Sequence, residues 1–363
     1  MKAISIGGAM VDTIAIIESD RIERMSMLNA ETSFLLLEEG RKTEALDIST
    51  HCGGGAVNTA VAMSRLGFDV ATLVKLGRDA RAEFILARLS AEGVSTRWVI
   101  RDAAAPTGAS VIISSHDRNA AVFTFRGANT LLEPSDLVKD AFAGDLVYVS
   151  SLSNRSADCY PLIIDRAKAA GALVAVNAGV RQLSAHGGPF LDSLAKIDIL
   201  AINRSEADAL VPGLVAKFGE GGAALALEAG EQPPPLLARG LVGGGYEMSL
   251  PAFLYALRGL GTRYVMLTDG RGGAFVCADG GVIYCPAVEA AVASTAGAGD
   301  AMAATFATFI ALGRPSDVAL KAAALNAASV VSHIDTQSGL LRHDALQGRL
   351  AARSDIRLRR WTV

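Results

Sequence analysis

The stretch "ASTAGAGDAMAATF", Ala293–Phe306, decides how the chain is read. Gly297, Ala298 and Gly299 run directly into Asp300, and an apolar run with helical spacing follows. A carboxylate in the first turn of a helix has two readings. It caps the helix by accepting free N–H groups. Alternatively, a loop nearly free of side chains admits a phosphate to those N–H groups, where the helix dipole favours negative charge. The segment alone does not choose between cap and anion site.

Working outward, the same strand–loop–helix order recurs. "KAISIGG" reads as a buried first strand ending in glycines, and "GGGAVNTAVAMSRLG", Gly53–Gly67, as a helix stopped by Gly67. "DARAEFILARLSAEGV" is a helix capped by Asp79. "DLVYVS", "ALVAVN", "IDILAIN" and "RYVMLTDG" are strands, the first three each followed by a helical segment or a break. "GAFVCAD" and "GVIYCPA" add two more strand-like runs before two closing helices. This alternation predicts an α/β fold with a central, mostly parallel sheet covered on both faces. Strand-like pieces at about 13–50 and 107–126 break the rhythm and predict a small second sheet, with "TSFLLLE" among its strands. "GASVIIS" and "AAVFTF" read as its hairpin. Residues 212–245 are rich in Gly and Pro and predict a surface insertion with one helix-compatible piece, "AALALEAG".

Composition narrows the function. Half of the 363 residues are apolar, enough for a large core, and the net charge of -3 comes with no Lys/Arg block. Nucleic acid and anionic membrane surfaces are therefore not expected partners. No signal peptide and no transmembrane stretch is expected, so the location is expected to be cytoplasmic. Cys52, Cys159, Cys277 and Cys285 fit no zinc or redox spacing and read as buried thiols, with Cys277 and Cys285 as candidate cross-strand neighbours.

Ligands of parallel α/β sheets bind at the carboxyl ends of the strands. Asp12, Gly53, Gly54, Asn58, Asn177, Asn203, Glu206, Thr268, Asp269, Gly270 and Asp300 all lie near such ends. Singly each has a plain structural role: Asp12 and Asn58 as turn or cap residues, Asn203 and Glu206 as a capping box. Jointly they point to a site.

On these residues the chain resembles the ribokinase-like carbohydrate kinase family, the PfkB family, over nearly its whole length. "GGGAVNTAVAMSRLG" is similar to the family's N-terminal signature, and "STAGAGD" to its Asp-Thr-x-Gly-Ala-Gly-Asp signature. "NRSE" resembles its Asn-x-x-Glu motif, and "TDGRGG" its Thr-x-Gly-x-x-Gly nucleotide loop. The resemblance implies a three-layer α/β/α sandwich with a small inserted β lid, spanning residues 1–355. It implies an ATP-dependent kinase acting on a small sugar, with a nucleoside kinase as the alternative and a non-catalytic sugar- or nucleotide-binding regulator as a more distant one. Asp300 is implied as catalytic base, expected to stay ionised at the helix N-terminus, with the Gly297–Ala298–Gly299 backbone as anion hole. Asp12, Gly53, Gly54 and Asn58 are implied to bind the substrate. Arg126, in "FTFRGANTLL", is either a ligand for a carboxylate or a solvated lid residue. Asn203, Thr268, Gly270, Gly273 and Asn326 are implied at ATP, and Glu206 at Mg²⁺ through water. Lids of this family often pair, so a homodimer through the lid is expected.

Three departures qualify the match. Ser294 stands where the family has Asp at a monovalent-cation site, which puts K⁺ activation in doubt. Gly55 stands where ribokinases have Lys, which weakens the case for ribose. The 212–245 segment is not typical. For a nucleoside substrate, Phe34, Phe123 and Phe125 are the candidate stacking residues.

Overall fold

The computed structural model describes residues 1–18, 23–26, 33–36, 40, 42–115, 120–221, 225, 227 and 232–361. Its centre is a nine-stranded sheet. From one edge the strands are Asp69–Leu73, Lys2–Ile6, Leu146–Val149, Leu173–Val176, Ile199–Asn203 and Tyr264–Thr268, all parallel. Ala274–Ala278, Gly281–Cys285 and Arg359–Trp361 complete the sheet antiparallel.

The strands are continuous apolar runs because each buries both faces. Ile4, Val147, Val149, Leu200 and Leu267 enter one core, shared with the helices Tyr160–Ala169, Val180–Ser193, Arg204–Phe218 and Leu250–Gly259. Their alternates, Ala3, Leu146, Tyr148, Ala201 and Met266, enter the other. That second layer holds the helices Gly55–Arg65, Ala80–Ala91, Ala298–Ala311 and Ser316–Val330. The result is a three-layer α/β/α sandwich.

The small sheet stands beside it with four strands in the order Ala120–Phe125, Gly108–Ser115, Met10–Ile17, Asp47–Gly53. "TSFLLLE" is not one of them. Among the described residues its Ser33–Leu36 portion pairs only with Glu23–Ser26, as a separate two-stranded sheet. Leu37 and the side chains of Phe34 and Leu35 lie outside the described residues.

Other expectations are also revised. The helix opened by "NRSE" continues through Pro212 to Phe218, well into the expected insertion. Pro212 has no N–H for the Asp208 carbonyl. Gly243, of the hairpin Leu241–Gly243/Tyr246–Met248, packs against that carbonyl instead, and Gly244 packs on the Pro212 ring. Most of "AALALEAG" lies outside the described residues. The Arg359–Trp361 strand carries the sheet past residue 355. Cys277 sits opposite Val282 and Cys285 opposite Ala274, so the two are not cross-strand neighbours. All four cysteines are free and buried.

Candidate active site

A pocket of about 230 Å³ opens at the carboxyl ends of the parallel strands, lined by Asn177, Asn203, Glu206, Thr268, Gly297, Gly299 and Asp300 among others. Each element delivers its residue for a local reason. The Ala298–Ala311 helix begins at Gly297, whose φ of 77° is left-handed. A Cβ there would lie 2.7 Å from Thr336 Cβ, so only glycine lets the loop enter the helix so tightly. Gly299 faces open space: a Cβ there would meet no heavy atom within 4 Å. Asp300 sits in the first turn.

Asn58, on the Gly55–Arg65 helix, donates from Nδ2 to Asp300 Oδ2 at 2.8 Å. That helix starts at Gly54, where φ is 93° and a Cβ would lie 2.6 Å from the Gly8 carbonyl oxygen. Gly53 lies flat against the Asp12 carboxylate. Asp12 itself is not in a loop after the first strand. It lies within the Met10–Ile17 strand, buried, accepting from the Ser110 hydroxyl. Burial pushes the Asp12 carboxyl up, and Ser110 opposes the shift.

Glu206 and Asn203 form a capping box. The Asn203 N–H donates to Glu206 Oε2 at 2.9 Å, and the Glu206 N–H donates to Asn203 Oδ1 at 3.0 Å. Asn177 Nδ2 adds a bond to Glu206 Oε2 at 3.3 Å. Capping does not remove these residues from the pocket, since both also line it. Burial is the main cause that pushes the Glu206 carboxyl up to about 7, against the Asn203 and Asn177 bonds, and the Asp300 charge adds to it. Asp300 is likewise pushed up by burial, with the Asn58 bond opposing. The helix dipole was expected to hold it down; desolvation outweighs that here.

Thr268 lines the pocket, and Gly270 and Gly273 shape the turn that follows it, with φ of 52° and 86°. Asp269 in this turn pairs with Arg239 at 2.9 Å, and the Gly272 carbonyl accepts from Tyr284 Oη at 3.1 Å. The Gly/Pro-rich segment thus touches the loop after the Tyr264–Thr268 strand through Arg239. Arg126 is half-buried and donates to Ser153 Oγ at 2.7 Å. Burial first, and then the nearby Arg181, lowers its pKa.

One placement differs from the sequence reading. Asn326 is wholly buried, donates to Thr305 Oγ1 at 2.8 Å and accepts from the Leu341 N–H at 2.9 Å, so it does not reach the pocket. Ser294 accepts the Ala296 N–H at 3.2 Å, closing a local turn. Two residues that the sequence reading passed over touch Asn58. Thr336 Oγ1 and Gln337 Nε2 both donate to its Oδ1, at 2.8 and 3.1 Å. The "DTQSG" loop carries no local pattern that signals this role. Asn129, in "RGAN", brackets the Ala9 backbone at both N–H and carbonyl and ties the lid to the first loop. Among the described residues, no group of three or more His, Cys, Asp or Glu side chains converges on a metal position. No described helix is long and apolar enough to cross a membrane.

Known proteins are similar to this chain in sequence and fold. A deoxyribokinase of Salmonella typhi is 26% identical over 331 residues, covering 90% of this chain and 94% of that one. A ribokinase of Staphylococcus aureus is 29% identical over 163 residues, covering 44% of this chain and 51% of the other. The structure of Arabidopsis thaliana ribokinase complexed with ribose and ATP superposes with a TM-score of 0.69 at 20% identity, covering 96% of this chain and 98% of that one. A nucleoside kinase of Methanocaldococcus jannaschii superposes equally well, with a TM-score of 0.69 at 17% identity and coverage of 97% and 98%, so the fold alone does not separate sugar from nucleoside. The pfkB family carbohydrate kinase model matches residues 23–228 and 252–343, leaving unmatched 229–251, which begins within the Gly/Pro-rich segment and runs past its end. With most of its length matched in this way, the chain belongs to the pfkB family and is a carbohydrate kinase.

Proposed function

We propose that this kinase transfers the terminal phosphoryl group of ATP to a hydroxyl of a small sugar, with Asp300 as base. The observation that carries the reading is the Asn58–Asp300 hydrogen bond at a helix N-terminus. It joins the helix expected at the sugar to the carboxylate expected at the transferred group. Among the described residues no hydrogen bond occupies Asp300 Oδ1, which is left to accept the hydroxyl proton. Its raised pKa makes it a stronger base than an ordinary Asp. Among the described residues the Gly297 and Gly299 N–H groups donate to no backbone carbonyl, while that of Ala298 makes a long contact to the Thr295 carbonyl at 3.5 Å, so the two glycine N–H groups are free to hold charge on the moving phosphoryl.

Asp12, Gly53, Gly54, Asn58 and Arg126 form the sugar side in this reading, and Asn203, Thr268, Gly270 and Gly273 the ATP side. Carboxylate and amide groups suit vicinal hydroxyls, which both donate and accept. Asn326 has no part in it. The pocket fits Mg²⁺: Glu206 and Asp300 are two desolvated carboxylates that disfavour each other's charge, a tension a divalent cation relieves. Glu206 would hold the ion through water, together with nucleotide phosphates, and the ion would neutralise phosphate charge.

A sugar is favoured over a nucleoside by one observation. Strand register puts Phe123 opposite Val111 and Thr13, and Phe125 opposite Ala109 and Val11, whereas Asp12 pairs with Ser110. Both rings therefore project from the sheet face opposite Asp12. They are also exposed, so they offer no stacking wall beside it. A phosphorylation screen over pentoses, hexoses, their deoxy forms and nucleosides, with product position read by NMR, tests the proposal. The expected product is a sugar phosphate. Turnover confined to nucleosides would contradict it.

A further inference from the structure

Asn58 has two ends that look alike in shape and differ in chemistry, and the catalytic reading needs the NH₂ end toward Asp300. What fixes that end is visible in the chain of contacts behind it. Arg88 Nε can only donate, and it donates to Gln337 Oε1 at 2.9 Å. The Cys52 carbonyl can only accept, and it accepts from Gln337 Nε2 at 3.0 Å. The orientation of the Gln337 amide is therefore forced. Its Nε2 then faces Asn58 Oδ1 at 3.1 Å, which makes that end of Asn58 the acceptor. Asn58 Nδ2 is left to donate to Asp300 Oδ2. Thr336 Oγ1, at 2.8 Å from Asn58 Oδ1, can donate or accept and so does not decide the matter alone.

The far end of the chain is anchored. Glu92 holds Arg88 at 3.0 Å and Arg65 at 2.6 Å, and Arg65 also donates to the carbonyls of Gln337 and Leu340 at 2.8 and 2.7 Å. Gln337 is 2% exposed, so water does not offer its amide another arrangement. The same loop packs against the start of the Ala298–Ala311 helix, where Thr336 abuts Gly297.

We infer that Gln337 is a positioning residue for phosphoryl transfer: it sets the direction of the Asn58 amide, so that Asp300 Oδ2 is engaged and Oδ1 is kept for the substrate proton. This rests on Asp300 acting as the base. Gln337 touches no reacting atom; it acts through Asn58, and its own direction is inherited from Arg88.

The test turns on the difference between shape and hydrogen-bond polarity. Gln337→Glu keeps the size and the Arg88 contact, yet replaces the donor facing Asn58 with an acceptor. The Asn58 NH₂ is then contested between residue 337 and Asp300, and its hold on Asp300 Oδ2 is weakened. Gln337→Met removes the donor without inverting it. The inference expects Gln337→Glu to lower kcat by roughly 10–100-fold, as misplaced catalytic groups do, and to be the worse of the two. KM for ATP should stay within about twofold, since the chain does not reach the nucleotide loop. In an Asn58→Ala background both Gln337 substitutions should lose most of their effect. A purely structural role predicts the reverse order, with Gln337→Glu the milder change, and penalties that add to that of Asn58→Ala. Either of those results overturns the inference. Thermal melting of each variant separates unfolding from loss of kcat, and the order of the two variants is read on whichever fraction is folded. Asp300→Asn is measured alongside. If it keeps turnover, the assignment of the base fails; if it is inactive while Gln337→Glu has wild-type kcat, only the role of Gln337 fails.

Discussion

Replacing Gly299 with Ala should make the protein more stable and less active. Gly299 is the second residue of the Ala298–Ala311 helix, and its φ is not positive. A Cβ there meets no heavy atom within 4 Å. Alanine is therefore accommodated without strain, and restricting the unfolded chain should stabilise by about 0.4–1 kcal/mol. The open space that makes this possible is the space the mechanism assigns to the transferred phosphoryl. A methyl group there holds the phosphoryl away from the helix N–H groups. Losing one such donor costs roughly 10²–10³ in rate, about 2.7–4 kcal/mol of transition-state stabilisation. Urea unfolding gives the first quantity, and kcat at saturating ATP and sugar gives the second. Higher stability with unchanged kcat would refute the anion-hole reasoning. Lower stability would refute the steric reading of the helix start.

Gly297→Ala should behave differently, losing stability and activity together. The left-handed φ of 77° costs about 1–2 kcal/mol for a non-glycine. Displacing Thr336 adds about 1–3 kcal/mol, and urea unfolding that shows no loss would contradict it. The rate should also depend on pH. Glu206, pushed up to about 7, and Asp300, also raised, must be ionised to work, so kcat/KM should fall as pH drops through these raised values. In Glu206→Gln the part of this fall near pH 7 should disappear; an unaltered pH profile would speak against Glu206 as the group titrating there. Finally, Ile48, Val111 and Phe123 are exposed on the lid face opposite Asp12, which favours a homodimer through that face. Light scattering at micromolar concentration should give twice the chain mass, and Phe123→Lys should shift it to monomer. A monomer mass for the wild type would dismiss this pairing.

Much of the fold was legible because the central strands bury both faces and so appear as unbroken apolar runs such as "DLVYVS" and "DILAIN". The pocket lining was legible for a related reason: Asn203, Glu206, Thr268 and Asp300 are polar residues placed where a parallel sheet gathers its ligands, and all four line the pocket. What escaped the sequence depended on tertiary contact. Gln337 is 279 residues from Asn58, and nothing local marks it as a partner. Asn326 was placed at ATP by the resemblance alone, and its buried amide is instead satisfied by Thr305 and the Leu341 backbone. The sequence reading assigned no element to the Val180–Ser193 helix, whose Gly187, Gly188 and Pro189 are poor helix formers. Packing of Phe190 on Tyr160, with ring centroids 5.7 Å apart, holds the helix across them. The helix through Pro212 was hidden, since the hairpin that covers its free carbonyl comes about 30 residues later.

The most direct test of the mechanism is Asp300→Asn, assayed for turnover and for binding. The substituted amide oxygen can still accept from Asn58 Nδ2, so the contact at 2.8 Å and the helix start should survive. Calorimetry should show ATP and sugar bound with affinities close to those of the wild type. Turnover should fall by about 10²–10⁴-fold, the usual loss when a general base is removed. Turnover within a few-fold of the wild type would contradict Asp300 as the base, and with it the reading of the Gly-Ala-Gly-Asp turn as the centre of catalysis.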